Sequence, residues 1–313
     1  MANLISITGD LGSGKSTVSK LLCKRLNYDH VYTGKIQRAI AQRYNMTTLE
    51  LNTYAETHPE IDEEIDSTFK SLNDSTDLIV DSRLAWFFLP DSFKVFLKTN
   101  VIVSANRIAA DKQRESEEYA SREEAINQLM ARKTSENKRY MELYGADCND
   151  LSQFNLLIDT SFITPERVAE LIVTAYDSWL VSQKYAQAFI SPTNLYPTRS
   201  VQYLDNDSYI GAQNDMQTNE YAMNFPVKAA HIHSFDYILD GHKRVSCALK
   251  NKIDLIPVVY QPENSLFSEG LVCKDAIPYS AQHSLFKEWE DFHSFSYLLY
   301  PFGCSEMCVC EVI

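Results

Sequence analysis

The chain has 313 residues, enough for two domains, and its hydrophobic content of 45% is ample for buried cores. Its formal net charge of -13 argues against broad electrostatic attraction to nucleic acid, whose phosphate backbone favours basic surfaces. No segment has the length of a membrane span, and no signal-like stretch precedes the first predicted strand. We therefore expect a soluble, cytoplasmic protein.

The first predicted strand, residues 4–8, runs directly into a phosphate-binding loop. The loop matches the pattern G-x-x-x-x-G-K-[ST] in full over Gly9, Asp10, Leu11, Gly12, Ser13, Gly14, Lys15 and Ser16, and Thr17 follows it. In this pattern backbone N–H groups surround a polyphosphate, Lys15 reaches the terminal phosphates, and the Ser16 hydroxyl can bind magnesium. Apolar residues then recur at helical spacing. The segment therefore predicts ATP and Mg2+ as ligands.

Strand and helix signals alternate through the first half, which predicts an α/β domain with a parallel sheet and helices on both faces. Residues 78–81 form an apolar strand ending in Asp81, the expected position of a magnesium-associated aspartate in a P-loop protein. The remaining predicted elements are a strand at 93–97, a helix beginning in 104–111, a polar helix capped by Ser121, a strand at 156–159 and a helix opened by Thr164 and Pro165.

Three further segments carry a family resemblance: residues 32–38 (YTGKIQR), 81–86 (DSRLAW) and 132–147 (RKTSENKRYMELYGAD). In order and spacing they resemble the acceptor-phosphate element, the acceptor-site strand end and the arginine-bearing lid of cytidylate kinases, over about residues 1–180. The resemblance implies a nucleoside monophosphate kinase fold, with CMP or dCMP as the simplest acceptor. It also implies that Thr33 and Arg38 hold the acceptor phosphate.

The chemistry of phosphoryl transfer accounts for such residues, since two anionic nucleotides need charge neutralisation and alignment. Arg38 and Arg83 are our candidates for fixing the acceptor phosphate, because guanidinium groups match its oxygens. Arg132 and Arg139 would close over the transferring group from a mobile lid that keeps water out. Asp81 would serve on the metal side or on the acceptor side.

One stretch argues against assigning the acceptor specificity of cytidylate kinases directly to this chain. Residues 53–72 are strongly acidic, with Lys70 as the one fixed positive charge. This acidic wall could contact amino groups of a base or a cationic acceptor, or it could be a solvated helix face. Ser82 stands where the family usually has glycine. This stretch therefore leaves the identity of the acceptor open.

Turn residues at about 181–197 predict a boundary between domains at 1–183 and 190–313. Beyond it we predict a strand at 237–239, a polar turn at 240–244, a helix from Val245 and a strand at 256–260. This second, smaller α+β domain resembles the ParB/sulfiredoxin-like fold over about residues 190–261. The resemblance implies phosphate or nucleotide binding by the residues of its D-G-H-x-R signature, Asp240, Gly241, His242 and Arg244. His242 stands where sulfiredoxins carry a reactive cysteine, so sulfinic acid reduction is not expected.

Two features of the C-terminal tail, its cysteines and its aromatic residues, each allow two interpretations. Cys304, Cys308 and Cys310 could hold zinc with a fourth ligand, but the same segment also fits an ordinary final strand. The aromatic residues from Tyr279 to Phe302 could stack on bases, although with few interleaved basic residues we favour packing.

Three functions remain open from the sequence. The first is ATP-dependent phosphorylation of a nucleoside monophosphate, with a second domain that regulates or extends the site. The second is phosphorylation of another small acceptor, such as a hydroxyl of an amino acid, a nucleoside or a modified base. The third is a non-catalytic nucleotide-sensing switch. The expected partner is a small molecule, and a homo-oligomer stays open.

Overall fold

The computed structural model describes residues 3–46, 50, 51, 54, 58–72, 77–110, 121–182, 187–204, 226–232, 235–261 and 279–298. The chain divides into two units. One consists of Met1–Thr99 and Val103–Ala186, and the other of Asn100–Ile102 and Gln187–Ile313. Within the described ranges, no helix is long and apolar enough to cross a membrane.

The first unit contains a parallel sheet. Its strands are β1 (Leu4–Gly9), β2 (Asp29–Tyr32), β3 (Leu78–Asp81), β4 (Phe93–Lys98) and β5 (Leu156–Asp159). They lie in the order β2-β3-β1-β4-β5, and each neighbouring pair is parallel. β1 and β3 are buried along their whole length, as expected for strands covered on two sides. The predicted α/β fold with a parallel sheet is confirmed.

The helices of the first half are α1 (Lys15–Leu26), α2 (Thr33–Arg43), α3 (Pro59–Ser71), α4 (Ala85–Phe88), α5 (Val101–Ala110), α6 (Arg122–Tyr144) and α7 (Pro165–Ser182). The predicted cap of α6 is present, since the Ser121 hydroxyl accepts a 3.1 Å hydrogen bond from the Glu124 N–H. α5 begins at Val101, three residues before the predicted start. The Asn100 side-chain oxygen accepts a 3.0 Å hydrogen bond from the Ile102 N–H at this end and so caps the helix.

The second unit contains strands β6 (Gln187–Ile190), β7 (Leu195–Tyr196), β8 (Val227–Ile232), β9 (Phe235–Asp240) and β10 (Ile256–Gln261). They follow the order β6-β10-β8-β9-β7, with antiparallel pairs β6–β10 and β8–β9 and parallel pairs β8–β10 and β7–β9. Its α-helices include α8 (His242–Lys250) and α9 (Tyr279–His293), and short 3-10 helices lie at Pro192–Asn194 and Val201–Tyr203.

One boundary in this unit was predicted wrongly. The turn predicted at 240–244 is shorter, because α8 begins at His242 and not at Val245. Gly241, with φ +103°, is the one residue between the end of β9 and the start of α8. Cys304, Cys308 and Cys310 lie outside the described residues, as do Tyr300 and Phe302. Among the residues that are described, no group of three or more His, Cys, Asp or Glu side chains could hold a metal ion.

Gly9, at the end of β1, gives a stability prediction. A Cβ at this position would overlap the carbonyl oxygen of Leu97, which is itself fixed by a 2.9 Å hydrogen bond from the Asp10 N–H. We expect Gly9→Ala to lower the free energy of unfolding by about 2–3 kcal/mol, measured by urea denaturation. Gly145→Ala is the control, because Gly145 also has positive φ but no atom within 4 Å of a built Cβ, and should cost about 1 kcal/mol. Equal losses in the two variants would contradict the steric explanation.

Candidate active site

The loop between β1 and α1 has the backbone form that phosphate binding needs. Gly12 and Gly14 have φ values of +73° and +85°, which side-chain-bearing residues rarely adopt. The Gly14 carbonyl accepts hydrogen bonds from the N–H groups of Thr17 and Val18, both at 3.0 Å, so α1 starts directly behind the loop. The positive end of the helix dipole therefore points towards the loop.

Lys15 is folded back onto this loop. Its Nζ donates hydrogen bonds to the carbonyl oxygens of Gly9 at 2.8 Å and Asp10 at 2.9 Å. Burial and then the nearby Arg83 lower the pKa of Lys15 to about 8. Lys15 therefore loses its proton at moderately alkaline pH. A bound polyphosphate would place negative charge beside it and stabilise the ammonium form.

Ser16, in the first turn of α1, contacts Asp81 at the end of β3. The Ser16 hydroxyl donates to the Asp81 carboxylate at 3.1 Å, and Asp81 lies beside Ile7 in the strand register. Asp81 is buried, and desolvation raises the pKa of its carboxyl group in spite of Lys15 and Ser16 nearby. A hydroxyl and a carboxylate are the oxygen donors that Mg2+ takes in phosphoryl-transfer sites. These two residues therefore fit the metal that the sequence predicts.

Arg83 lies beside the loop. Its backbone is anchored through Thr8, whose hydroxyl donates to the carbonyl of Ser82 at 2.8 Å. One guanidinium nitrogen of Arg83 donates to the Gly9 carbonyl at 3.1 Å. Another lies 3.1 Å from the Glu136 carboxylate on α6. The structure therefore brings the P-loop, Asp81 and Arg83 together.

Helix α6 carries the predicted lid residues and also contacts the loop. Arg132 pairs with Glu136 one turn later, at 2.9 Å. Lys133 reaches Asp10 in the P-loop at 2.8 Å. Burial acts to raise the pKa of Asp10, but Lys133 and the Thr99 N–H together lower it. Arg139 is exposed further along the helix. Lys133 and Glu136 were not predicted from the sequence, although both lie within the arginine-bearing segment 132–139.

Thr33 and Arg38 belong to α2, which follows β2. Thr33 is the first residue of this helix, and Tyr32 before it lies opposite Asp81 in the register of β2 and β3. Arg38 is exposed and donates to the Tyr32 hydroxyl at 2.5 Å, with its guanidinium 5.3 Å from the centre of the Tyr32 ring. Thr33 therefore follows the carboxyl end of β2, next to the end of β3 where Asp81 lies. Arg38 contacts Tyr32 and not the P-loop.

A second arginine near the loop, Arg107, was also missed. It donates to the carbonyl oxygens of Gly12 at 3.2 Å and of Thr160 at 2.6 Å. The Thr160 hydroxyl in turn donates to the Ser13 carbonyl at 3.0 Å. These bonds fix the P-loop backbone from the side of β5. A single arginine within an apolar helix gives no sequence signal for such a role.

The predicted second site surrounds the Asp240–Gly241 turn. Asp240 is exposed at the end of β9, whereas His242 is only 7% exposed. The His242 Nε2 accepts from the Thr198 N–H at 3.2 Å, and its ring lies 6.1 Å from that of Trp289. The turn is thus packed against the segment after β7. Cys247 is fully buried in α8.

His242 gives a prediction about pH. Burial and then Arg199 lower its pKa from 6.5 to about 4, against the opposing effect of Asp240. The unfolded chain therefore takes up a proton first as pH falls, so stability is lost between pH 6.5 and 4, in total by about 3 kcal/mol. We expect His242→Gln to remove this share of the pH dependence, measured by urea unfolding at pH 6.5 and 4.5.

His293, whose pKa is also lowered to about 4 by burial and Lys250, should produce a similar decline. His293→Gln and the double variant therefore separate the two contributions. A His242→Gln protein that loses as much stability on acidification as the wild type would contradict the assignment.

The sequence model of the cytidylate kinase-like family matches residues 4–162, half of the chain. The chain belongs to the cytidylate kinase-like family. It is 37% identical over 175 residues to a cytidylate kinase of Pyrococcus abyssi, covering 56% of this chain and 93% of the relative. A cytidylate kinase of Sulfolobus acidocaldarius is 39% identical over 173 residues, covering 54% and 91%.

Membership in this family makes the protein a P-loop kinase of the cytidylate kinase type. A solved shikimate kinase from Acinetobacter baumannii, in complex with shikimate, is 18% identical with a TM-score of 0.40, covering 59% of this chain and 96% of that one. The family match ends at residue 162 and therefore does not reach residues 187–313, which form most of the second unit.

Proposed function

We propose that this kinase transfers a phosphoryl group from ATP, with Mg2+, to a nucleoside monophosphate, most simply CMP or dCMP. The observation that carries the proposal is the position of Arg83. Its guanidinium donates to the P-loop backbone at Gly9 and also approaches the lid helix at Glu136. A phosphate held by Arg83 would lie next to the loop that holds the donor, which is the requirement for direct transfer.

The donor half of the proposed site is the P-loop, residues 9–17. Its backbone N–H groups and Lys15 would bind the ATP phosphates, and Arg107 would keep the loop in place. Ser16 and Asp81 would hold Mg2+, which neutralises phosphate charge when bound. Lys15 would exchange its two backbone carbonyl partners for phosphate oxygens.

The acceptor half consists of Arg83, Thr33 and Arg38. Arg83 offers guanidinium donors beside the P-loop, and Thr33 lies at the same edge of the sheet as Asp81. Arg38 would have to leave Tyr32 to reach a phosphate. Arg132 and Arg139 would cover the transferring group from α6. Tyr144, at the end of that helix, donates to Asp66 of the acidic helix α3 at 3.3 Å.

The second domain, residues 190–313, would bind a nucleotide or phosphate at its Asp240–Gly241 turn, as its resemblance to the ParB/sulfiredoxin-like fold implies. Asp240, the Gly241 backbone and Arg244 would contact the ligand, whereas His242, buried and bonded to the Thr198 N–H, would support the turn. The left-handed Gly241 and the helix start at His242 support this proposal. With the P-loop disabled by Lys15→Met, nucleotide binding that remains in calorimetry and disappears with Arg244→Ala would support it. Complete loss of binding in Lys15→Met alone would argue against a second site.

The reaction itself is tested by ADP formation from ATP and Mg2+ against a panel of acceptors. The panel contains the common nucleoside monophosphates, nucleosides and hydroxy amino acids. We expect turnover with CMP or dCMP. Turnover confined to non-nucleotide acceptors would overturn the proposed substrate, and nucleotide binding without any turnover would favour a switch.

A further inference from the structure

Glu136 is the centre of the charged contacts between α6 and the site. One of its carboxylate oxygens lies 3.1 Å from Arg83, and the other lies 2.9 Å from Arg132. Both arginines are among those assigned above to phosphate binding. A carboxylate therefore lies where the proposed function requires the anionic groups of substrates.

The contact with Arg83 is shielded from water but is poorly aligned. The side chains of Arg83 and Glu136 are only 24% and 22% exposed, so their attraction is screened less than that of a surface pair. Within the described part of the chain, the buried Arg83 Nη2 and Glu136 Oε2 atoms make no hydrogen bond of good geometry. Arg83 therefore keeps a donor that a better placed anion could use.

Arg83 does not depend on Glu136 for its position. Its other terminal nitrogen donates to the Gly9 carbonyl, and its backbone is fixed to β1 through Ser82 and Ile7. Lys133, paired with Asp10 at 2.8 Å, also ties α6 to the loop. Losing the Glu136 contact would therefore leave both Arg83 and the lid helix with other anchors.

From this geometry we infer that Glu136 is an internal competitor of the acceptor phosphate, which must displace its carboxylate from Arg83 in order to bind. The inference rests on the proposed function in placing that phosphate at Arg83. Carboxylate and phosphate use the same guanidinium donors, and a phosphate can form two aligned bonds. Glu136 thus lowers acceptor affinity and gives up its partner when the acceptor arrives.

A positioning role for Glu136 makes the opposite prediction. If its carboxylate were needed to orient Arg83, then removing the charge would weaken anion binding at Arg83. The sign of the effect therefore decides between the two roles.

The test uses inorganic phosphate as the probe, with the full chain and the P-loop saturated by Mg2+ and a non-hydrolysable ATP analogue. We expect Glu136→Gln to tighten phosphate binding about five- to tenfold in calorimetry. Glu142→Gln is the matched control, since it removes the same charge from the same helix at a residue whose side chain is 64% exposed. In an Arg83→Ala background the effect of Glu136→Gln should vanish.

Unchanged or weaker phosphate binding in Glu136→Gln would overturn the inference, as would an equal gain in Glu142→Gln or a gain that persists without Arg83. Turnover with CMP is measured separately on the same proteins. A wild type that phosphorylates CMP while Glu136→Gln shows no gain rejects the competitor role alone. An Arg83-dependent gain without any CMP turnover rejects the proposed substrate alone.

Discussion

Replacing Arg83 with alanine is expected to reduce kcat/KM for CMP by about a hundred- to a thousandfold. The guanidinium lies between the Gly9 carbonyl and Glu136, and is proposed to hold the acceptor phosphate beside the P-loop. Its removal takes away both charge and alignment. Steady-state kinetics with CMP varied at saturating ATP measures the effect, and the KM for ATP should change much less.

Two comparison variants make the Arg83 result specific. Arg83→Lys retains the charge but loses the paired donors, so partial activity is expected. Arg122→Ala removes an exposed arginine from the first turn of α6 and should behave as wild type. If Arg83→Ala raised the KM for ATP by a factor as large as the loss in kcat/KM for CMP, Arg83 would belong to the donor site instead.

Lys15→Met should lower kcat by about a thousandfold. Lys15 is held against the Gly9 and Asp10 carbonyls, and burial together with Arg83 lowers its pKa to about 8. The positive charge of Lys15 is poorly compensated. The phosphates would stabilise it best during transfer, when negative charge moves between donor and acceptor. Single-turnover measurements with ATP and CMP separate the loss in the chemical step from weaker binding.

Lys20→Met is the control for Lys15, since Lys20 is an exposed lysine of the same helix. It should retain full activity. Thermal unfolding of both variants shows whether the P-loop remains folded. Retention of more than a tenth of the wild-type kcat by Lys15→Met would contradict the role given to this residue.

The donor side of the site was accessible from the sequence because its determinants are local. The P-loop pattern fixes the glycines, Lys15 and Ser16 within eight consecutive residues. The apolar strand ending in Asp81 is equally local, and parallel pairing with β1 then brings Asp81 to Ser16. These elements were predicted with nearly correct bounds.

The contacts between α6 and the site could not be predicted in this way. Lys133 and Asp10 are 123 residues apart, and Arg83 and Glu136 are 53 apart, so no local periodicity links them. In the sequence Lys133 and Glu136 are simply members of a charged helix. The strand β2 was missed for a related reason, because it is short and begins with the polar residues Asp29 and His30.

In the second unit, sequence signals identified β9, β10 and the turn between β9 and α8. They did not show that His242 points into the core, where Thr198 and Trp289 contact it. A histidine after Asp-Gly is compatible with either an exposed ligand or a buried residue. Burial depends on α9 and on the segment after β7, which are distant along the chain.

The most direct test of the central claim follows the phosphate itself. ATP labelled in its γ-phosphate is incubated with the protein, Mg2+ and CMP, and the products are separated by chromatography. Direct transfer predicts label in CDP, lost in Lys15→Met and in Arg83→Ala. Direct transfer would be contradicted if the label appeared solely as inorganic phosphate. It would also be contradicted if the label stayed in ATP with CMP and with every other nucleoside monophosphate supplied in its place.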